Sequence, residues 1–318
     1  MRTTKTADNK NAGLRLSGRG KPHRYNRSET RAAYLLLLPS IIGLICITYA
    51  PVLASFSLSL FSWNGLGSMK FVGADNYVKL FTRDSSFYQS LLTTIKYAGI
   101  SVTGSMIYSL VLAMLLNRKI PARGFFRGVF YLPYVLPAMA VYLGWSWLLD
   151  YNHGLFNSLS VQLTGSHIKF LDSAELIIPS LAMIAVWLSG NLIVIFLAGL
   201  QNVPRVYHEA AEVDGANSFQ RLIHITIPCM TPIIFYNLLM SLITNLQVIT
   251  PALSLTKGGP SNGSNFMCYK LYKEAFKNHQ YGYGSAVAVI LFILIAAFTI
   301  VLFVSSSKWV FYEGDDNK

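Results

Sequence analysis

Tyr283-Gly-Ser-Ala-Val-Ala-Val-Ile-Leu-Phe-Ile-Leu-Ile-Ala-Ala-Phe-Thr-Ile-Val-Leu-Phe-Val-Ser-Ser-Ser307 runs without a single charged side chain. A helix rises about 1.5 Å per residue, so about 20 such residues cross a bilayer core roughly 30 Å thick. The run is too long and too uniformly apolar for the buried stripe of a soluble helix, and it fixes the fold class. Working outward, five more stretches meet the same test: 33–61, 90–116, 125–149, 176–200 and 229–253. None of the six contains Asp or Glu. Lys96 and Arg127 are the basic residues inside them, each near enough to an end for its charge to snorkel to water. Charged residues make up only 13% of the 318 positions, where a soluble domain averages roughly 25%. The sequence therefore reads as an all-α integral membrane protein with six transmembrane helices.

The net charge of +12 could signal nucleic acid, but its distribution argues for topology instead. Seventeen of the 26 Lys and Arg fall before the first stretch, in 117–124 with Arg127 at its edge, in 201–228, or after the last stretch. Eight fall in the alternate connections 62–89, 150–175 and 254–282. The positive-inside rule then places both termini in the cytoplasm of a bacterial cell membrane, in contact with lipid. Residues 1–31, rich in Lys, Arg, Ser and Gly, read as a disordered basic cytoplasmic tail. Residues 32–310 read as the transmembrane domain, and 311–318 as a cytoplasmic C-terminal tail. The first stretch is not a secretory leader: about 30 polar and basic residues precede it, and it is too long for a leader's apolar segment. Cys46, Cys229 and Cys268 stand in or beside separate segments, and the six His show no ligand spacing, so neither disulfide nor metal is expected. No cofactor is implied.

The connection 201–228 is polar yet patterned like two helices. Pro204 suits a first helical turn, and Val206, Ala210 and Val213 recur at helical spacing. Asp214-Gly215 is a stop, because Gly accepts a left-handed conformation. Ser218 is placed to cap a second short helix, and Pro228 is expected to end it. A DNA-reading helix–turn–helix is disfavoured, since Glu209, Glu212 and Asp214 outnumber Arg205 and Arg221 where phosphates demand cations. A docking element on the cytoplasmic face is the reading that remains beside a plain linker.

The run Glu209-Ala-Ala-Glu-Val-Asp-Gly-Ala-Asn-Ser-Phe-Gln-Arg-Leu-Ile-His-Ile-Thr-Ile-Pro228 resembles the EAA loop of permease subunits in bacterial binding-protein-dependent ABC importers. Glu209, Ala210, Ala211, Gly215, Ile225 and Pro228 fall in its register, and Asp214 and Ala216 match the sugar-type version. Phe71-Val-Gly-Ala-Asp-Asn-Tyr77, Arg127-Gly-Val-Phe-Tyr-Leu-Pro-Tyr-Val-Leu-Pro137 and Thr256-Lys-Gly-Gly-Pro260 extend the likeness toward the maltose and oligosaccharide branch. The basic tail departs from the pattern. The resemblance implies that the loop is a coupling helix seated in a groove of a cytoplasmic ATPase: Glu209 would meet a basic residue, Ala210 and Ala211 would allow close approach, and Asp214-Gly215 would make the turn. It also implies a second, probably different, permease chain, a dimer of ATP-binding subunits, and an external solute-binding protein that delivers a sugar. The chain has no GxxxxGK[ST] loop, so ATP chemistry must sit on a partner. It is expected to be a transporter subunit rather than an enzyme.

A sugar path needs hydroxyl partners and flat apolar faces but no fixed charge. The in-span candidates are Asn245, Gln247, Asn191, Ser189 and Trp187, with Tyr131, Tyr134, Tyr236 and Asn237 behind them; each could equally serve helix–helix packing. The register back from Gly258-Gly259-Pro260 puts Asn245 at a cavity position of maltose-type permeases. A secondary transporter would be expected to carry intramembrane carboxylates, and a membrane enzyme clustered His, Asp or Glu; neither is present in the sequence. The competing reading is an ABC permease for a phosphorylated polyol or another non-sugar solute, distinguished by fixed charge in the cavity.

Overall fold

The computed structural model describes residues 27–311; the basic stretch before them, and the last seven residues, lie outside the described part. The chain separates into two units, divided between Leu53 and Ala54. In the first, α1 (Arg27–Gly43) passes through a widened π-helical stretch, Leu44–Tyr49, into α2 (Ala50–Leu58), whose residues from Ala54 on belong to the second. Pro51 explains the widening. Its ring lacks an N–H and would clash with the carbonyl four residues back, and a π-turn relieves that crowding without ending the helix.

In the second unit a two-residue hairpin pairs β1 (Phe61–Ser62) with β2 (Lys70–Phe71), and α3 (Asp75–Thr82) leads to the central helix α4 (Ser85–Asn117). The next apolar stretch is not one straight span. It divides into α5 (Arg123–Val135) and α6 (Ala138–Leu148), bent by 98°. The residue before a proline is pushed out of the helical region, and Leu136, before Pro137, is extended at ψ 146. After α7 (Leu155–Thr164), the stretch expected over 176–200 likewise divides into α8 (Ile177–Trp187) and α9 (Gly190–Asn202), bent by 49° at Leu188-Ser189. Among the described residues four continuous helices are long and apolar enough to cross a membrane, and the number reaches the expected six where each bent pair is one span.

The connection after α9 forms α10 (Arg205–Val213) and α11 (Ser218–Arg221). Two expectations are corrected here. Asn217, not Ser218, caps α11: its side chain accepts from Phe219 and Gln220 N–H while Gln220 Oε1 accepts from Asn217 N–H. Pro228 does not end the second helix either. A π-helical stretch, Leu222–Thr226, absorbs it, and the helix continues into α12 (Ile227–Leu246), making one 29-residue rod from Ser218 to Leu246. That rod stops at Leu246, short of the expected 253. Beyond it come α13 (Met267–Tyr272) and α14 (Tyr281–Ser306).

Helix α4 is the axis of the second unit and packs against α8, α9 and α12. Its buried face is made mostly of small residues, among them Thr94, Ala98, Ser101, Ser105, Ser109 and Ala113, with Phe87, Tyr97 and Leu116 as the large ones. Between membrane helices the gain comes from close van der Waals approach and interhelical hydrogen bonds rather than from water release, and small residues permit both. Ser109 Oγ meets Ser189 Oγ at 2.9 Å across the α4–α9 boundary. A side chain at Gly190 would lie 2.7 Å from the Phe130 carbonyl, so only glycine lets α9 start this close to α5.

Candidate functional site

The two helix breaks open onto one cavity of about 800 Å³, lined by Leu136 and Ala138 from the first break and Leu188 and Ser189 from the second. Irregular backbone at membrane depth survives only where it is buried in protein or borders a cavity, so the bends and the hollow explain each other. Five tyrosines line it, Tyr97, Tyr131, Tyr134, Tyr142 and Tyr236, with four amides, Asn191, Asn237, Asn245 and Gln247, and no charged residue. The Tyr131 and Tyr134 rings lie 5.7 Å apart and remain part-exposed, a flat apolar face beside hydrogen-bonding groups.

Four of the five proposed path residues meet in this cavity: Asn245, Gln247, Asn191 and Ser189. Trp187 does not. It packs edge-on against Trp145 at 5.6 Å, outside the lining, because the break at Leu188 turns it away from its neighbours on α9. Ser189 borders the hollow, but its hydroxyl is taken by the Val186 carbonyl and Ser109. Asn245 Nδ2 donates to the Ser241 carbonyl at 2.8 Å, one turn back on its own helix. Tyr97 and Tyr142 escaped sequence reasoning: a tyrosine in an apolar run looks the same whether it faces lipid, core or cavity.

The second candidate surface is the α10–α11 loop. Gly215 takes φ +81 with open space around it, so backbone conformation rather than crowding requires glycine. Ala216 N–H closes the turn on the Ala211 carbonyl at 2.8 Å, the bond that satisfies an orphan carbonyl at a helix end. Arg221 pairs with Glu212 at 3.1 Å, tying α11 to α10. Glu209, Ala210 and Asp214 are exposed and Ala211 half-buried, beside the exposed apolar side chains Val206, Val213 and Phe219. Among the described residues Glu209 has no ion pair.

A third cluster lay outside the sequence reading. At the far end of α4, Lys270 is 2% exposed, with Nζ 2.6 Å from Asp84 and 3.7 Å from Glu274 and donating to Ser86. Tyr283 also donates to Asp84. Burial pushes the Asp84 carboxyl up, and the hydrogen bonds from Lys270, Tyr283 and Ser86 more than reverse this, holding it at about 2. The i,i+4 spacing of Lys270 and Glu274 was legible; the Asp84 partner, from a distant helix, was not.

A family described as "Binding-protein-dependent transport system inner membrane component" matches residues 105–310. That range contains the α10–α11 loop and every cavity-lining residue except Tyr97. The chain belongs to this family. The permease is 36% identical over 301 residues to the probable ABC transporter permease protein YesP of Bacillus subtilis, covering 93% of this chain and 97% of that one. It is 31% identical over 281 residues to the multiple sugar-binding transport system permease protein MsmF of Streptococcus mutans (86% and 94% covered). To the trehalose/maltose transport system permease protein MalF of Thermococcus litoralis it is 29% identical over 275 residues (86% and 92%). Its fold matches a chain in the crystal structure of a bacterial alginate ABC transporter in complex with alginate pentasaccharide-bound periplasmic protein, at TM-score 0.78, 21% identity and 88% and 95% coverage. The permease is thus a multi-pass membrane transport component, not an enzyme, of the binding-protein-dependent class.

Proposed function

We propose that this permease forms part of the translocation path of an ATP-driven importer for a neutral sugar or oligosaccharide. The observation that carries the reading is the cavity of tyrosines and amides without one charged side chain. Amides both donate and accept toward hydroxyls, and ring faces pack on sugar rings. A phosphorylated solute would leave its charge unpaired there, at a cost that burial makes large. The sugar-named relatives point the same way. Asn245, Gln247, Asn191 and Ser189 make up the path in this chain; Trp187 packs on Trp145 beside the α8–α9 break instead.

The α10–α11 loop is the ATPase-coupling element, with Glu209 and its apolar neighbours as the docking face and residues 201–228 as its extent. A dimer of ATP-binding subunits engages it, a second permease chain completes the cavity, and an external binding protein delivers the solute. The ion pair Arg221–Glu212 makes α10 and α11 move together. Because α11 continues into α12, a push on the loop travels along one rod to Asn237, Ser241 and Asn245 in the cavity wall. Rigid elements of this kind transmit a switch between inward and outward access when a ligand biases two states.

This arrangement requires the loop and both termini on the cytoplasmic side, with 32–310 as the membrane domain. Reporter fusions at Asn9, Arg123, Asn217 and Asp315 are expected to read as cytoplasmic, and those at Ser68, Gly165 and Asn262 as external. Reproducible inversion of the Asn217 fusion would remove the loop from the ATPase and end the coupling role.

A further inference from the structure

Asn237 sits two turns before Asn245 on α12 and is fully buried, yet among the described residues neither its amide nitrogen nor its carbonyl oxygen has a hydrogen-bond partner. Buried amides are nearly always paired, and an unpaired one in an apolar setting is a standing cost that leucine would avoid. This chain alone supplies the burial. Asn237 lines the same cavity as Asn245, about 12 Å farther along the helix toward the α10–α11 loop. The two amides differ in what they have left to offer. Asn245 Nδ2 is bonded to the Ser241 carbonyl; Asn237 keeps donor and acceptor both open. A sugar hydroxyl, itself donor and acceptor, satisfies that pair.

We propose that Asn237 is a second hydroxyl-binding station of the cavity, reached by the solute after Asn245 on its way toward the loop end. The proposal rests on the sugar-import reading and adds a position and an order to it. Both amide atoms are closed off in the conformation described, so the station opens when α12 shifts against α4, the movement that the rod from α11 would drive. Asn237 is unpaired in one state and paired through the solute in the other, so its cost falls on the resting transporter and its bond on the translocating one. The separation from Asn245 exceeds one sugar ring: an oligosaccharide engages both stations at once, a monosaccharide one after the other.

The test uses the complete complex, with its second permease, ATP-binding subunits and binding protein, in proteoliposomes. Uptake is measured for a panel of neutral mono-, di- and trisaccharides in wild type, Asn237→Leu and Asn237→Ser, beside thermal unfolding of each purified complex. Asn237→Leu is expected to lower uptake about 10-fold, from two lost hydrogen bonds, while the complex unfolds at the same or a higher temperature. Asn237→Ser, which keeps one hydroxyl, falls between. Leucine-variant uptake within twofold of wild type overturns the station, and so does a lower unfolding temperature, which would mean that the amide holds the fold. A wild type that imports no sugar of the panel overturns the sugar reading and the station with it.

Discussion

Lys270 and Glu209 mark opposite ways of treating charge at the two ends of the same helical bundle. Around Lys270, charges and hydroxyls satisfy one another: Asp84, Glu274 and Ser86 surround the ammonium, and Tyr283 completes Asp84. Around Glu209 the carboxylate stands exposed, flanked by apolar side chains that face away from the protein. Burying charge is costly unless it is fully paired, so the first cluster is a closed unit with no capacity for a partner. The second keeps its interactions unspent. The first cluster ties α4, α13 and α14 together; the second is the surface proposed above to meet another protein.

The largest effect is expected from breaking the closed cluster. Lys270→Met leaves Asp84 and Glu274 facing each other without the cation, and removing one partner of a buried pair costs about 3–5 kcal/mol. Detergent-solubilised complex should unfold well below wild type, with the double variant Asp84→Asn, Lys270→Met recovering part of the loss. Acid gives an independent check. The Asp84 pKa lies below its usual 3.8, at about 2, so its contribution is complete above the usual value and is lost as pH falls through about 2. Lys270→Met should flatten that acid dependence. An unchanged unfolding temperature would show that the cluster contributes nothing to stability.

At the open end the same kind of change should spare the fold and strike function. Gly215→Val forces a β-branched residue into a left-handed conformation, a local cost of about 1–2 kcal/mol or more, and reshapes the turn that presents Glu209. Glu209→Lys reverses the charge of the proposed docking face while breaking no ion pair among the described residues. Both variants are expected to insert and to keep wild-type thermal stability within about 2 kcal/mol, yet to lose ATPase co-purification and uptake; the glycine variant should show the larger loss. Normal uptake by both would end the contrast between a locked and a reserved surface.

How much of this was legible in the sequence depended on range. Apolar runs specify spans locally, so four of the six stretches overlap continuous apolar helices and the other two overlap bent pairs. The breaks were harder, because a proline does not announce its effect: Pro39, Pro133 and Pro232 sit inside helices, Pro228 is absorbed by a widened turn, and only Pro137 stands at a sharp bend. The outcome is set by whether the preceding residue can become extended, which depends on what packs against it. The turn at Gly215 was readable because left-handed backbone carries a residue signature. The Asn217 cap was missed by one position, since Asn and Ser compete on nearly equal terms for it. Of the path residues, Asn191 and Gln247 stood out as amides in apolar runs and Asn245 also by its register back from Gly258-Gly259-Pro260; their meeting in one cavity depended on bends that the sequence did not reveal. The Lys270–Asp84 pair is a tertiary fact with no local signal.

The smallest effect should come from Asn245, although sequence alone made it the leading candidate. An unbonded amide in an apolar setting is costly, and the Asn245 nitrogen is bonded to the Ser241 carbonyl of its own helix. That bond neither joins two helices nor waits for a solute, so Asn245→Leu should leave complex assembly intact. What remains for a sugar is the second N–H and the amide oxygen; because Asn245 is only half-buried, water replaces a lost partner there, and the net loss is that of about one neutral hydrogen bond, about 0.5–1.5 kcal/mol. Uptake should therefore fall roughly 2- to 10-fold, less than for Asn237→Leu, with basal ATP hydrolysis unchanged and sugar-stimulated hydrolysis reduced in proportion. The comparison sharpens if the two variants are measured side by side: a larger loss at Asn245 than at Asn237 would mean that the back-bonded amide lets go of Ser241 during transport. A weakened complex with normal uptake would return Asn245 to helix packing. Between these outcomes lies the distinction drawn for Lys270 and Glu209, now within one helix: a polar group that is spent against one that is held open.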